Sequence, residues 1–155
     1  MKFKALAATF VVALLIAAAA PAAQASPSVV SALGGFHNTT GVAFSPDGSL
    51  AYVMQNDGTV WGPCSLVVVD AKSLSRVGEP LSTGIGCAGV NHAIAMAPDG
   101  SKAYVSLAEG KVLPFSPATL TFGAPITVGT GGVGQIAFTP DGTRAYVAAT
   151  NNGSV

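Results

Sequence analysis

Residues 136–147 read IAFTPDGTRAYV, and closely similar stretches occupy residues 42–53 and 94–105. In each copy an apolar segment precedes Pro-Asp-Gly, and Ala-Tyr-Val begins three residues after the glycine. The tripeptide recurs at spacings of 52 and then 42 residues. In such a turn Asp hydrogen-bonds its own backbone and Gly takes a positive φ. The pattern therefore predicts a repeated pair of short strands joined by a tight turn.

Each copy continues beyond Ala-Tyr-Val with a second turn and, in the first two copies, with further apolar segments. These segments predict third and fourth strands at Leu66–Val69 and Val77–Thr83 in the first copy, and at Val112–Leu113 and Phe122–Val128 in the second. Four strands in about 40 residues is the period of a β-propeller blade, and a β-sandwich is the alternative. We predict an all-β propeller with four-stranded antiparallel blades near residues 29–84, 90–129 and 133–155, the last one partial.

The stretch 136–147 resembles the YVTN family of β-propeller repeats, and the similarity runs from about Val42 to Val155. The motif is specific for the repeat and not for an activity. The resemblance implies an exported propeller, because such domains occur in surface and envelope proteins. About two and a half blades are present, and propellers close with four to eight. We expect the remaining blades from a longer chain or, as the alternative, from association with other copies.

The amino terminus has the pattern of a secretory signal. Lys2 and Lys4 precede an apolar run of 16 residues, Ala5–Ala20, and Ala23-Gln24-Ala25 follows as a small-residue cleavage site. A membrane-spanning helix needs about 20 residues, so an uncleaved anchor is the alternative. The sequence predicts a cleaved signal peptide at residues 1–25 and a secreted, periplasmic or cell-envelope protein with no membrane span after cleavage.

Composition excludes several function classes. Only 9% of residues are charged and 50% are hydrophobic, which is too apolar for a disordered chain. The chain beyond residue 25 keeps five Lys and Arg against seven Asp and Glu, so it has no basic patch for nucleic acid. It contains no nucleophile elbow, phosphate loop, dinucleotide fingerprint or zinc motif. The sequence therefore predicts no cofactor and no metal and leaves any catalytic residue unknown, so an enzyme is the less favoured interpretation.

The first blade carries two insertions relative to the second, and each contains one cysteine. Six extra residues lie around Trp61–Ser65, and about three lie in Ile85–Gly89. In an antiparallel meander the loops after the second and fourth strands leave the same edge, so both insertions should project from one face. An exported protein meets an oxidising compartment, which predicts a Cys64–Cys87 disulfide, with two free thiols as the alternative.

Candidate binding residues lie on this same face: Asp57, Trp61, Asn91, His92 and Glu109. Trp61 is an aromatic anchor of the kind that dominates binding energy. The predicted function is an interaction scaffold that binds a protein or a small ligand through these loops. The alternative is a lactonase-like propeller hydrolase, whose polar channel mouth could also bind a metal.

Two further sets of residues recur through the copies. The aspartates of the Pro-Asp-Gly turns are expected to be structural and to lie on the opposite face: Asp47, Asp99 and Asp141. The core is expected to contain one Phe or Met, one Tyr and one Val from each copy: Phe44, Met96, Phe138, Tyr52, Tyr104, Tyr146, Val53, Val105 and Val147.

Overall fold

The computed structural model describes residues 32–56, 62–86 and 92–149. A compact unit begins at Leu33, and its described part contains twelve strands and no helix. The predicted signal peptide, residues 1–25, lies outside the described residues. None of the described segments forms a helix long and apolar enough to cross a membrane.

The strands form two similar antiparallel sheets and one strand pair. The first blade consists of β1 (Gly41–Phe44), β2 (Leu50–Asn56), β3 (Pro63–Asp70), β4 (Ser75–Arg76) and β5 (Leu81–Gly86). The second consists of β6 (Ile94–Met96), β7 (Ala103–Leu107), β8 (Lys111–Ser116), β9 (Thr121–Phe122) and β10 (Ile126–Thr127). The described part of the third is the pair β11 (Val133–Phe138) and β12 (Ala145–Ala149).

The outer edge of each complete blade is divided into two short strands. Both β4 and β5 pair with β3, and both β9 and β10 pair with β8. The continuous strands expected at Val77–Thr83 and Phe122–Val128 are therefore wrong. A Gly-x-Pro sequence, at residues 78–80 and 123–125, lies at each break. Proline lacks the N–H that the strand ladder needs, so the pairing stops there and resumes beyond it.

The arrangement is that of consecutive β-propeller blades. The first strands of the blades lie side by side, with β6 between β1 and β11, and the later strands of each blade follow as an antiparallel meander. The predicted fold class is confirmed: the described chain is all-β and its blades are antiparallel, while its described residues do not close a ring.

The main core lies between the first and second blades. Tyr52, Met54 and Leu66 of the first blade pack against Val105 and Phe115 of the second, and all five side chains are almost fully buried. The Tyr52 and Phe115 rings meet edge to face, with centroids 5.8 Å apart. Burial also raises the pKa of the Tyr52 phenol. A smaller core joins the second blade to the third.

Burial of the repeated aromatic positions depends on the blade that carries them. Tyr52 is 2% exposed, whereas Phe44 is 56% exposed and Tyr146 is 49% exposed. The expectation that Phe44 and Tyr146 belong to the core is therefore wrong. Among the described residues no neighbouring blade covers the side of the first blade that bears Phe44 or the side of the third that bears Tyr146. Val105 is fully buried, and the other expected core positions are partly buried.

The Pro-Asp-Gly turns are built as the sequence predicts. The Asp47 carboxylate accepts hydrogen bonds from the Ser45 hydroxyl, at 2.6 Å, and from the Ser49 N–H, at 3.0 Å. Asp99 and Asp141 accept the equivalent backbone bonds, and the three turn glycines have φ of 71°, 72° and 68°. Neighbouring turns lie side by side, since Gly100 approaches Pro46 and Gly142 approaches Pro98.

These turns make the fold sensitive to acid. Hydrogen bonds from Ser45 and Ser49 lower the pKa of Asp47 from 3.8 to about 2, and equivalent bonds lower the pKa of Asp99 and Asp141. A carboxyl with a lowered folded-state pKa stabilises the fold above its ordinary pKa, and this contribution is lost as pH falls through the lowered value. We expect the thermal midpoint to fall between about pH 4 and pH 2. An Asp47→Asn variant, which keeps an acceptor but cannot titrate, should lose less over that range, and an unchanged pH profile would contradict this account.

Candidate interaction face

The two cysteine-bearing insertions leave the first blade at one end. Asn56, which precedes the first insertion, pairs with Cys64, and Pro63 pairs with Gly86, which precedes the second. We call this end of the blades the loop face; it comprises the ends of β2 and β5, the start of β3 and the hairpin 108–110. The Pro-Asp-Gly turns connect the opposite ends of the same strands and form the turn face. The strand ends that enter the two insertions therefore lie opposite the Pro-Asp-Gly turns, and the course of the insertions themselves stays a prediction.

A polar network lies at the strand ends that enter the two insertions. The Gln55 amide donates to the Ser65 hydroxyl at 3.3 Å, and its oxygen accepts the His37 N–H at 3.4 Å. The Thr83 hydroxyl lies 3.0 Å from the Cys64 carbonyl oxygen. Gln55 and Thr83 are each less than a tenth exposed. The Thr83 bond is buried and therefore shielded from competing water, whereas the two Gln55 bonds are half-buried. The network joins β2, β3 and β5 where both insertions begin.

Cys64 is fully buried at the base of the first insertion. Its neighbour Pro63 is paired with Gly86, the residue directly before Cys87. Cys87 lies outside the described residues. The strand register therefore places the residue before Cys64 opposite the residue before Cys87.

His92 is the first described residue after the second insertion, and it is 2% exposed. Its Nδ1 is 3.0 Å from the Ser106 carbonyl oxygen, and because a carbonyl only accepts, this bond requires a proton on Nδ1. The Ser106 hydroxyl accepts the Ala93 N–H at 2.6 Å. A β carbon at Gly41 would lie 2.9 Å from the His92 carbonyl, so the first and second blades meet closely here. In this structure the His92 ring holds the base of a loop, and its role in binding stays a prediction.

Glu109 projects from the hairpin at the end of β7. Its φ is +62°, and its exposed carboxylate lies 2.8 Å from the Lys111 ammonium. The Lys111 hydrogen bond lowers the pKa of Glu109, so this corner is an ion pair at neutral pH. Such an exposed pair adds little stability and leaves both groups accessible to a partner.

The remaining candidates, Asp57, Trp61 and Asn91, lie outside the described residues, and their roles stay predictions. Within residues 32–56, 62–86 and 92–149, no group of three or more His, Cys, Asp or Glu side chains comes together as a metal site. The lactonase-like alternative, which depends on a converging polar set, also stays a prediction.

Sequence reasoning missed the residues that hold the loop face together. Gln55, Thr83 and Ser106 are buried polar side chains on β2, β5 and β7. A polar residue within an apolar strand is the signal that could have found them, because a buried polar group needs a hydrogen-bond partner. Each has a partner that lies 10 to 19 residues away along the chain, and the sequence did not show these distant contacts.

No protein-family model and no curated protein matches the chain. Among solved structures, a chain of the Kuenenia stuttgartiensis hydrazine synthase is 26% identical over 82% of this chain, with a TM-score of 0.58. The β-propeller domain of Myceliophteria thermophila Cps50 (Swd1) is 12% identical over 72% of this chain, with a TM-score of 0.44. This chain spans 33% and 49% of those two chains. The similarity to the hydrazine synthase chain therefore covers only a part of that larger chain.

Proposed function

We propose that this chain is an exported propeller protein with YVTN-type repeats, and that it binds a partner through the loop face. The observation that carries the proposal is the common base of the two insertions, where Pro63 pairs with Gly86 above the Gln55 and Thr83 network. Loops that stand on a rigid scaffold are the usual position of binding residues. Extra loop length costs little folding stability, so a fold can carry insertions that serve binding.

A Cys64–Cys87 disulfide would fix the shape of this face. It would close a loop of 24 residues, which stabilises the fold by roughly 3–4 kcal/mol on the chain-entropy model. A pre-ordered loop also loses less conformational entropy when it binds. Support comes from the buried position of Cys64 and from the pairing of the residues that precede the two cysteines.

The proposed disulfide can be tested by a peptide map and by two serine variants. A non-reducing peptide map of the exported protein should contain one linked peptide that joins Cys64 to Cys87. The Cys64→Ser and Cys87→Ser variants should lower the thermal midpoint by equal amounts, because each removes the same bond. Two free thiols in the map, or clearly unequal losses, would show that the cysteines act separately.

Trp61 provides the direct test of binding, because it is the single Trp of the chain and its predicted position is on the loop face. We would replace Trp61 with a photo-crosslinking phenylalanine derivative in the native host and irradiate intact cells. The matched control carries the same derivative at Lys102, an exposed residue on the turn face. We expect a defined adduct from position 61 and none from position 102.

Excess unmodified protein should compete for the partner and suppress the adduct. Excess Trp61→Ala protein should not suppress it. The thermal midpoint of Trp61→Ala should stay nearly unchanged, since a binding anchor contributes little to the fold. Equal adducts from both positions, or none from position 61, would overturn the proposed binding through the loop face.

A further inference from the structure

Each Pro-Asp-Gly turn contains a chemically labile bond, the peptide bond between Asp and Gly. In an Asp-Gly pair the glycine nitrogen can attack the side-chain carbon Cγ of the aspartate, because glycine has no β carbon to hinder the approach. The three turns lie at residues 46–48, 98–100 and 140–142. All three aspartates are exposed, so access to water does not distinguish them. The local structure therefore decides which of them reacts.

The attacking nitrogen is held alike in all three turns. In each, the glycine N–H donates to the carbonyl of the residue that precedes the proline, at 2.8, 2.9 and 2.8 Å in chain order. The three glycines also share a φ between 68° and 72°. The nucleophile is therefore equally restrained in every turn.

The three carboxylates are held differently, and the residue before the proline makes the difference. The Ser45 hydroxyl donates to Asp47 at 2.6 Å, and the Thr139 hydroxyl donates to Asp141. Each of these hydroxyls also accepts a backbone N–H from beyond its turn, at 2.9 and 3.1 Å. The corresponding residue of the second turn is Ala97, which has no hydroxyl. The link between carboxylate and backbone that orders the first and third turns therefore cannot form in the second.

Asp99 consequently keeps only the donors that follow it. The Ser101 N–H and hydroxyl donate to its Oδ1 at 3.0 and 2.8 Å. Hydrogen bonds to a carboxylate favour its ionised form. An ionised carboxylate resists attack by an amide nitrogen, because its oxygen is a poor leaving group. With one donor fewer, Asp99 is oriented less firmly and protonated more readily than Asp47.

We propose that Asp99 is the aspartate of these three turns that isomerises to isoaspartate. The Gly100 nitrogen attacks Cγ of Asp99 and gives up its proton, and a carboxyl oxygen leaves as water, which closes a succinimide ring. Water then breaks the original bond between the Asp99 carbonyl carbon and the Gly100 nitrogen. The chain afterwards runs through Cγ, and the former carbonyl carbon becomes the free carboxylate. One water is released and one is consumed, so the reaction needs no other reactant.

The isomer would change a contact between two blades. It lengthens the backbone by one carbon in the turn where Gly100 approaches Pro46, and a β carbon on Gly100 would already lie 3.1 Å from the Pro46 ring. Isomerised protein should therefore have a lower thermal midpoint. This site lies on the turn face, so the inference does not depend on the proposed function.

The test compares the three turns within one molecule. The purified protein is incubated at mildly acidic pH below its melting temperature and then digested with a protease that cleaves before aspartate but not before isoaspartate. Mass spectrometry then measures isoaspartate at each position, and we expect it to accumulate several-fold faster at position 99 than at positions 47 and 141. Protein incubated in urea is the control. There the three rates should become similar, because the sequences around the three aspartates are nearly identical.

Two variants exchange the hydroxyl between turns. Ser45→Ala should raise the rate at position 47 to that at position 99 and leave position 99 unchanged. Ala97→Ser should lower the rate at position 99 to that at position 47. Thermal melting of both variants would show that the comparison is made on folded protein.

Ala97 is 1% exposed, so Thr139→Val provides a second test if Ala97→Ser melts early. It removes the hydroxyl of the third turn and should raise the rate at position 141. Equal rates at the three positions of the folded protein, no isoaspartate at position 99, or the same ranking in urea would each overturn the proposal. Unchanged rates in Ser45→Ala and Thr139→Val would overturn it as well.

Discussion

Replacing Phe115 with alanine should lower the free energy of unfolding by about 3–5 kcal/mol. Phe115 is 1% exposed on β8, and its ring contacts Tyr52 of the first blade and Phe122 of its own blade, with centroids 5.8 Å and 5.2 Å away. Truncation would remove buried apolar surface and leave a cavity where the first two blades meet. The surrounding backbone is held by strand pairing, so it can close that cavity only in part.

Urea unfolding followed by circular dichroism would measure this loss. The matched control is Phe44→Ala, because Phe44 is 56% exposed and truncation there leaves no cavity. We expect the control to change the free energy of unfolding by less than about 1 kcal/mol. Equal losses for the two variants would mean that the contact between the first two blades does not dominate stability.

Replacing Gly110 with alanine should have an effect of similar size, for a different reason. Gly110 has φ of +68°, a conformation that costs a residue with a β carbon roughly 1–2 kcal/mol. In addition, a β carbon at this position would overlap the carbonyl group of Gly129. The backbone would have to move, which would disturb the 2.8 Å hydrogen bond from the Val128 N–H to the Gly110 carbonyl. We expect a total loss of about 2–5 kcal/mol, since overpacking adds its own 1–3 kcal/mol.

Gly48→Ala separates the two causes. Gly48 has φ of +71°, yet a β carbon there would meet no atom within 4 Å. This control should lose only the conformational part, roughly 1–2 kcal/mol. Thermal and urea unfolding of the two variants side by side would give the difference, and equal losses would show that the approach of Gly129 has no energetic consequence.

The loop face was only partly predictable from the sequence. Counting strands placed both cysteine insertions at one end of the first blade, because direction alternates strictly in an antiparallel meander. The same reasoning placed His92 on this face but did not reveal that its ring is buried against the Ser106 carbonyl. That contact joins the start of one strand to the end of the next, so it follows from the register of β6 and β7 and from no local signal.

The amino-acid sequence by itself determined the repeated strand, turn and strand units and the geometry of the Pro-Asp-Gly turns. These features depend on residues within a few positions of one another, such as Asp47 with Ser45 and Ser49. Only the tertiary structure decided which repeated aromatic residues are buried. Tyr52 and Tyr146 occupy the same place in their repeats, yet one is 2% exposed and the other 49%. Burial requires a neighbouring blade to exclude water from the ring, and whether that blade is present is a property of the packed stack and not of the repeat.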